Sequence, residues 1–425
     1  MILNRANPPE LKVPEAINIL QAKKIQLDNG IGIYVINSGN EDVVKFEIIY
    51  PTGATDKESF AISTACHQLA ESGTSSKKAI EIAENLDYFG AYLHADSGPD
   101  FKSFSLFSLT RFFNETLPVL NEILNDAAFP ENELNVWKTR SIQTLKVNRE
   151  KVSWLSKTRF QEALFGNSHP YGYTPAENSF NDITIESLQL FFSKSYRLNE
   201  AIILLSGKVD AKIIATVNSV FGQINNSPTT PEVSKINSLP EFVPQKIKID
   251  KKDSVQSAIR IGKRLFGKDH HDYFAVSIVN TILGGYFGSR LMSNIREDKG
   301  YTYGIGSGVH PFKFSGSFFI TTEVGSDVCH EAIKEIYKEL HRLANEPVPE
   351  VELDLVKKYL AGSFLRSLDG PFALSDRFKG LILHDLDYEF LNRYLEAINS
   401  INPLKIMEIT DKHLRPESMT EVIAG

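Results

Sequence analysis

The chain has 425 residues, more than one ordinary hydrophobic core holds, so at least two domains are expected. With 42% apolar and 23% charged residues it has the make-up of a soluble globular protein, and a net charge of −7 without a long basic run speaks against nucleic acid or an anionic membrane as partner. The N-terminus MILNRANPPELKVPEA lacks the apolar stretch of a signal peptide, no segment reaches the length of a membrane span, and the two cysteines, Cys66 and Cys329, lie far apart; a reducing cytoplasm is the expected location.

Lys24–Asn37 alternates apolar residues around Asp28-Asn29-Gly30, which predicts a hairpin. Val43–Tyr50 reads as a strand. Ser59–Ser72 carries Ile62, Ala65, Cys66 and Leu69 at helical spacing, and Lys77–Phe89 repeats the pattern with Ile80, Ala83, Leu86 and Phe89. Phe101–Leu109 alternates as a strand does. Phe113–Ala127 and Glu131–Val152 are predicted helices, the second opened by Pro130-Glu131, and 201–207 is a strand-length apolar run. Strands and helices come in runs, which favours an α+β domain with an antiparallel sheet over a doubly wound one.

The order repeats. Phe60-Ala61-Ile62-Ser63 returns as Phe274-Ala275-Val276-Ser277 at an offset of 214, and Phe129–Leu134 returns as Val348–Leu353 at an offset of 219. Between the copies, residues 222–245 carry Pro228, Pro231, Pro240 and Pro244 among polar residues, as an extended linker does. We therefore expect a first α+β repeat over 1–222, a linker over 223–245 and a second repeat over 246–425.

Several stretches follow the order of the pitrilysin/insulinase-like peptidases, the M16 family. They are Gly73-Thr74 with the helix and strand after it, His169-Pro170-Tyr171-Gly172, Ile282-Leu283-Gly284-Gly285, Ser289-Arg290-Leu291, and Arg296-Glu297-Asp298-Lys299-Gly300-Tyr301-Thr302-Tyr303. No single piece is specific, but the ordered set, spread over about residues 20–420, resembles that family. The resemblance implies two repeats of a LuxS/MPP-like metallohydrolase fold, each an antiparallel sheet with helices packed on one face.

An active member carries His-x-x-Glu-His: two histidines one helical turn apart bind Zn²⁺, and the glutamate is general base for the zinc-bound water. Counting back from Gly73-Thr74, that motif falls on Thr64-Ala65-Cys66-His67-Gln68, so Thr64, His67 and Gln68 replace the two ligands and the base. The third ligand would fall near Leu145, where Gln143–Arg149 has no acid, and the second repeat offers only Ile278–Ile282. No metal is expected in this chain. Two lesser options stay open: a His67–Glu71 pair at i+4, and opportunistic metal binding by His67 with Cys66.

In the family's two-subunit bacterial branch the subunit without zinc supplies an Arg/Tyr pair, and the resemblance places it on Arg296 and Tyr303 as substrate-binding residues. The chain then reads as the catalytically inactive subunit of a heterodimeric zinc peptidase, with Zn in a homologous partner that has an intact His-x-x-Glu-His, acting on unfolded peptides. The alternative is a non-enzymatic peptide-binding or structural core-type subunit. A plainer reading of the pair itself, a surface salt bridge for Arg296 and a strand position for Tyr303, stands beside these.

Other clusters read as structural. Leu283–Gly288, LGGYFG, lacks the Gly-Lys-Ser/Thr of a phosphate loop and suits a helix C-terminus with positive φ at Gly284-Gly285; by resemblance it lies near the substrate chamber. Lys268-Asp269-His270-His271-Asp272 has a metal site's composition but stands where a helix begins, where acids cap and complement the dipole. His94, Asp96 and His169 lack ligand spacing, His169 belonging by resemblance to a buried turn, and Gly-x-Ser-x-Gly is absent.

Overall fold

The computed structural model describes residues 13–14, 16–51, 57–224 and 239–425. The greater part of the expected linker, 225–238 with Pro228 and Pro231, lies outside the described residues. The chain forms two compact units. One holds Leu20–Lys252 together with Gly370–Leu383 and Val422–Gly425; the other is built on Asp253–Asp369 and His384–Glu421.

Eleven strands are present among the described residues: β1 (Lys23–Gln26), β2 (Gly32–Asn37), β3 (Val43–Tyr50), β4 (Tyr92–Ser97), β5 (Lys102–Leu109), β6 (Ile202–Gly207), β7 (Lys246–Ile249), β8 (Gln256–Leu265), β9 (Ile305–Pro311), β10 (Gly316–Gly325) and β11 (Thr420–Ala424). They form two sheets, ordered β1-β2-β6-β3-β5-β4 and β7-β11-β8-β10-β9. Dropping β1 leaves the same arrangement twice, with the last strand of each copy inserted second. The fold is α+β with two repeats. The copied segments also take equivalent places: Phe60–Ser63 and Phe274–Ser277 lie on helices Lys57–Leu69 and Tyr273–Asn280, and Pro130 and Pro349 stand just before helices Glu131–Arg149 and Glu350–Arg366.

The predicted hairpin closes as read, with Lys24 opposite Tyr34 and Gly30 at φ 82°, a value that costs glycine little. The pairing of β2 with β6 departs from the antiparallel expectation: the two run parallel, Ile33 beside Ile203. The helices that intervene between them carry the chain back to the same end of the sheet, which a hairpin cannot do. The long helix expected over Glu131–Val152 ends at Arg149, Lys151 turns extended at ψ 124°, and a new helix runs Val152–Phe165.

β3 shows how the first sheet is held. Val44, Phe46 and Ile48 are fully buried on one face, and Phe46 stacks on Phe221 at 5.1 Å. Lys45 and Glu47 alternate onto the other face, yet they too are buried. Helix Pro371–Ile382 covers them, with Phe378 against Tyr34 at 5.0 Å and Phe372 against Phe107 at 5.6 Å. Lys45 bonds Asp376 at 2.8 Å and Glu47 at 2.9 Å, and Lys379 reaches Glu47 at 2.6 Å. Within the second repeat, which begins at 246, the chain thus returns a helix, Pro371–Ile382, to the first sheet.

Candidate functional site

Helix Lys57–Leu69 carries the positions that a zinc peptidase would use. Thr64 and Gln68, one turn apart, face a cleft of about 770 Å³, and Leu145 lines the same cleft from helix Glu131–Arg149. None of them offers a metal ligand of the required kind. The Thr64 hydroxyl donates back to Phe60 O at 3.0 Å, and Gln68 Oε1 accepts from Trp137 Nε1 at 2.7 Å. His67 points the other way, into the core. Its ring lies 4.4 Å from that of Phe104, and Nδ1 is 3.1 Å from the Tyr196 hydroxyl, a partner other than Glu71. Burial, reinforced by the Lys102 ammonium, pushes His67 down to about 3. A hydroxyl, an amide and a leucine do not make a zinc site, so the residues present do not fit the metal.

Burial also pushes the Cys66 thiol up, leaving little reactive thiolate. Cys329 is half-buried. A thiol reagent such as Ellman's is expected to label one cysteine, Cys329, in the native protein and the second only after unfolding; two rapid equivalents in the native state would contradict the burial of Cys66.

The Arg/Tyr pair is built differently. Arg296 stands in a π-helical turn, Met292–Asp298, whose placement rests on its neighbours. Arg290 makes a two-point bond to Glu352, Nε and Nη2 each at 2.8 Å, and Asn294 donates to Glu335 at 3.0 Å and Glu339 at 2.7 Å. Ile295 is fully buried. Arg296 itself lays its guanidinium over the Phe287 ring at 4.8 Å, with no carboxylate partner among the described residues. Gly300, at φ 68°, turns the chain, and Thr302 locks the turn by donating to Glu323 O at 2.7 Å. Tyr303 follows, just before β9 rather than within it, and is 95% exposed. Phe287, 65% exposed, is the residue that sequence reasoning passed over; its signal was LGGYFG, read for its glycines alone.

Those glycines do not have positive φ. Thr281–Gly285 is a π-helical turn, and a Cβ on Gly284 would sit 2.6 Å from Ser307 Oγ. Glycine lets this turn approach β9. Gly172 in His169-Pro170-Tyr171-Gly172 works alike, since a Cβ there would meet Gly166 O at 2.4 Å. His169 is buried in that turn, its Nδ1 accepting from Tyr171 N at 3.1 Å.

His270, His271 and Asp272 place one ligand atom each within 4.8 Å of one another. Asp272 stands at the N-cap of helix Tyr273–Asn280, but its carboxylate makes no capping bond. It takes Lys412 at 2.7 Å and His413 at 2.8 Å instead, and is held at about 2: burial raises it, and these partners outweigh burial.

Residues 182–360 match the family model described as the peptidase M16 inactive domain. A Bacillus subtilis protein named as an uncharacterized zinc protease, YmxG, is 24% identical over 384 residues, covering 89% of this chain and 92% of that one. Over residues 182–360 the chain matches the M16 family. Another relative carries the opposite description: a Helicobacter pylori protein named as a non-peptidase homologue is 27% identical, over 73% of this chain and 71% of its own. Among solved structures, an M16 inactive domain from Pseudomonas fluorescens superposes with TM-score 0.84 at 23% identity, covering 95% of this chain and 98% of that one. Among the described residues, no helix of this chain is long and apolar enough to cross a membrane.

Proposed function

We propose that this chain is the non-catalytic subunit of a heterodimeric M16 zinc peptidase of a reducing compartment. A homologous partner with His-x-x-Glu-His holds the zinc, and Arg296 and Tyr303 of this chain bind the peptide substrate. The observation that carries the reading is the fate of the first helix. The fold around it is kept, while Thr64, Gln68 and Leu145 leave the cleft without a ligand set. The presentation of Arg296 and Tyr303 on a braced turn supports the rest.

The chain alone is expected to bind no stoichiometric zinc and to cleave no peptide. Mixing it with the zinc-bearing companion that co-purifies from its native cell is expected to give chelator-sensitive turnover. Metal analysis and a fluorogenic peptide assay test both; stoichiometric zinc with cleavage by the chain alone overturns the proposal. A second reading, a structural or peptide-binding subunit without an enzymatic partner, is favoured by the non-peptidase description of the Helicobacter relative.

A further inference from the structure

The cleft beside the first helix keeps a shape although it has lost its metal ligands. Its walls are aromatic and fixed. Trp137 is tied to Gln68 and packs edge-on against Phe180 at 5.7 Å, and Phe60 packs edge-on against Tyr173 at 5.6 Å, whose hydroxyl meets Ser179 Oγ at 2.8 Å. Trp154, on the next helix, completes the lining. Such a lining offers contact area at little entropic cost.

The charge around it is opposite to that of the whole chain. From Leu134 to Gln161 there are seven Lys and Arg against the single acid Glu150, in a protein of net charge −7. Most of the seven are engaged. Lys146 and Arg149 reach Glu177 at 3.4 and 3.7 Å, Arg159 meets Glu162 at 2.8 Å, and Lys138 donates to Asn181 O at 2.9 Å. Arg140 and Lys157 are the two that line the cleft, and neither has a carboxylate partner among the described residues. One acid, Glu133, also lines it, two helical turns before Arg140 and about 10 Å away along the axis.

We propose that this cleft binds a short acidic peptide segment, with a carboxylate between Arg140 and Lys157 and apolar side chains against Trp137 and Trp154. Guanidinium and ammonium groups supply charge-assisted bonds to the carboxylate. Glu133 sets the direction, because a second carboxylate near it is repelled. A nucleic acid, which also likes aromatic and cationic walls, needs a row of free cations along its backbone. Here the cations outside the cleft are tied to protein groups. The site stands apart from the Arg296/Tyr303 reading and needs no partner, so the two fail separately.

The chain has only two tryptophans, and both line the cleft, so intrinsic fluorescence reports on it directly. The full chain, alone, is titrated with a synthetic hexapeptide of alternating glutamate and leucine, with a lysine/leucine counterpart, and with a single-stranded oligonucleotide. The acidic peptide is expected to give a saturable change that weakens with salt, and the basic one none. Arg140→Ala and Lys157→Ala should each weaken binding about tenfold, the scale of one charged contact. Both residues are exposed helix positions, so circular dichroism is expected to show native folding. Arg140→Lys should keep more affinity than Arg140→Ala. Equal binding of the two peptides, unchanged affinity in the folded variants, absence of a saturable signal, or tighter binding of the oligonucleotide each overturns the assignment.

Discussion

Replacing Arg296 by alanine is expected to lower kcat of the mixed complex about 10²- to 10³-fold, the cost of losing one donor aimed at charge developing in a transition state. Assembly should not change, because the turn that carries Arg296 is held by Arg290, Asn294 and the buried Ile295, not by Arg296. Its guanidinium rests on an exposed phenylalanine, a contact that contributes little to stability but keeps the side chain extended. Tyr303→Phe should give a smaller loss of the same kind, since only the hydroxyl is removed. Size-exclusion chromatography of the complex and steady-state kinetics on a fluorogenic peptide separate the outcomes. Unchanged turnover with intact assembly sinks the substrate-binding role and leaves the scaffolding reading.

Lys379→Ala is expected to cost about 3 kcal/mol of stability, the low end for breaking a buried ion pair. Glu47 is 1% exposed and receives Lys379 at 2.6 Å; without that ammonium it keeps only Lys45, which is itself shared with Asp376. Replacing Glu47 and Lys379 together by leucine and methionine should be far less harmful than the single change, because no uncompensated charge is then left behind. Denaturant titration followed by circular dichroism reads both. A single variant as stable as the parent would show that helix Pro371–Ile382 is held by its aromatic contacts alone.

The same cluster sets a dependence on pH. Burial raises the Glu47 carboxyl, but Lys45 and Lys379 outweigh it and hold the group below its ordinary value. A carboxylate lowered on folding contributes stability above its unfolded pKa of about 4.3 and loses it as pH falls through the folded value. Lys45 is likewise raised, burial opposing and Glu47 and Asp376 prevailing, so its contribution is present at neutral pH and is lost only as strongly alkaline pH passes its folded value. The parent is therefore expected to lose stability below about pH 4.3, and the Glu47→Leu, Lys379→Met double variant to lose less of it there.

Much of the architecture was legible because its signals are local. The apolar run Val43–Tyr50, the Asp28-Asn29-Gly30 turn and the proline before each long helix depend on neighbours within a few residues, and the structure keeps all three. The two copied blocks were legible because a repeat preserves order. What escaped were features whose cause lies far along the chain. Gly284 reads as a C-cap until Ser307 of β9 is placed against it. Nothing near Lys45 and Glu47 in sequence announces their burial, which comes from a helix some 330 residues later. Phe287 becomes notable only when Arg296 is found above its ring.

The first helix shows the division most clearly. The sequence alone determined that Thr64, His67 and Gln68 cannot reproduce His-x-x-Glu-His, because ligand chemistry is a property of residue type and spacing. The tertiary structure decided where each of these side chains went. His67 turned into the core, where Phe104 and Tyr196 surround a neutral imidazole, and Thr64 and Gln68 were left on the wall of an open cleft. A helix carries every face at once, and only the elements packed around it determine which face meets the core and which meets a ligand.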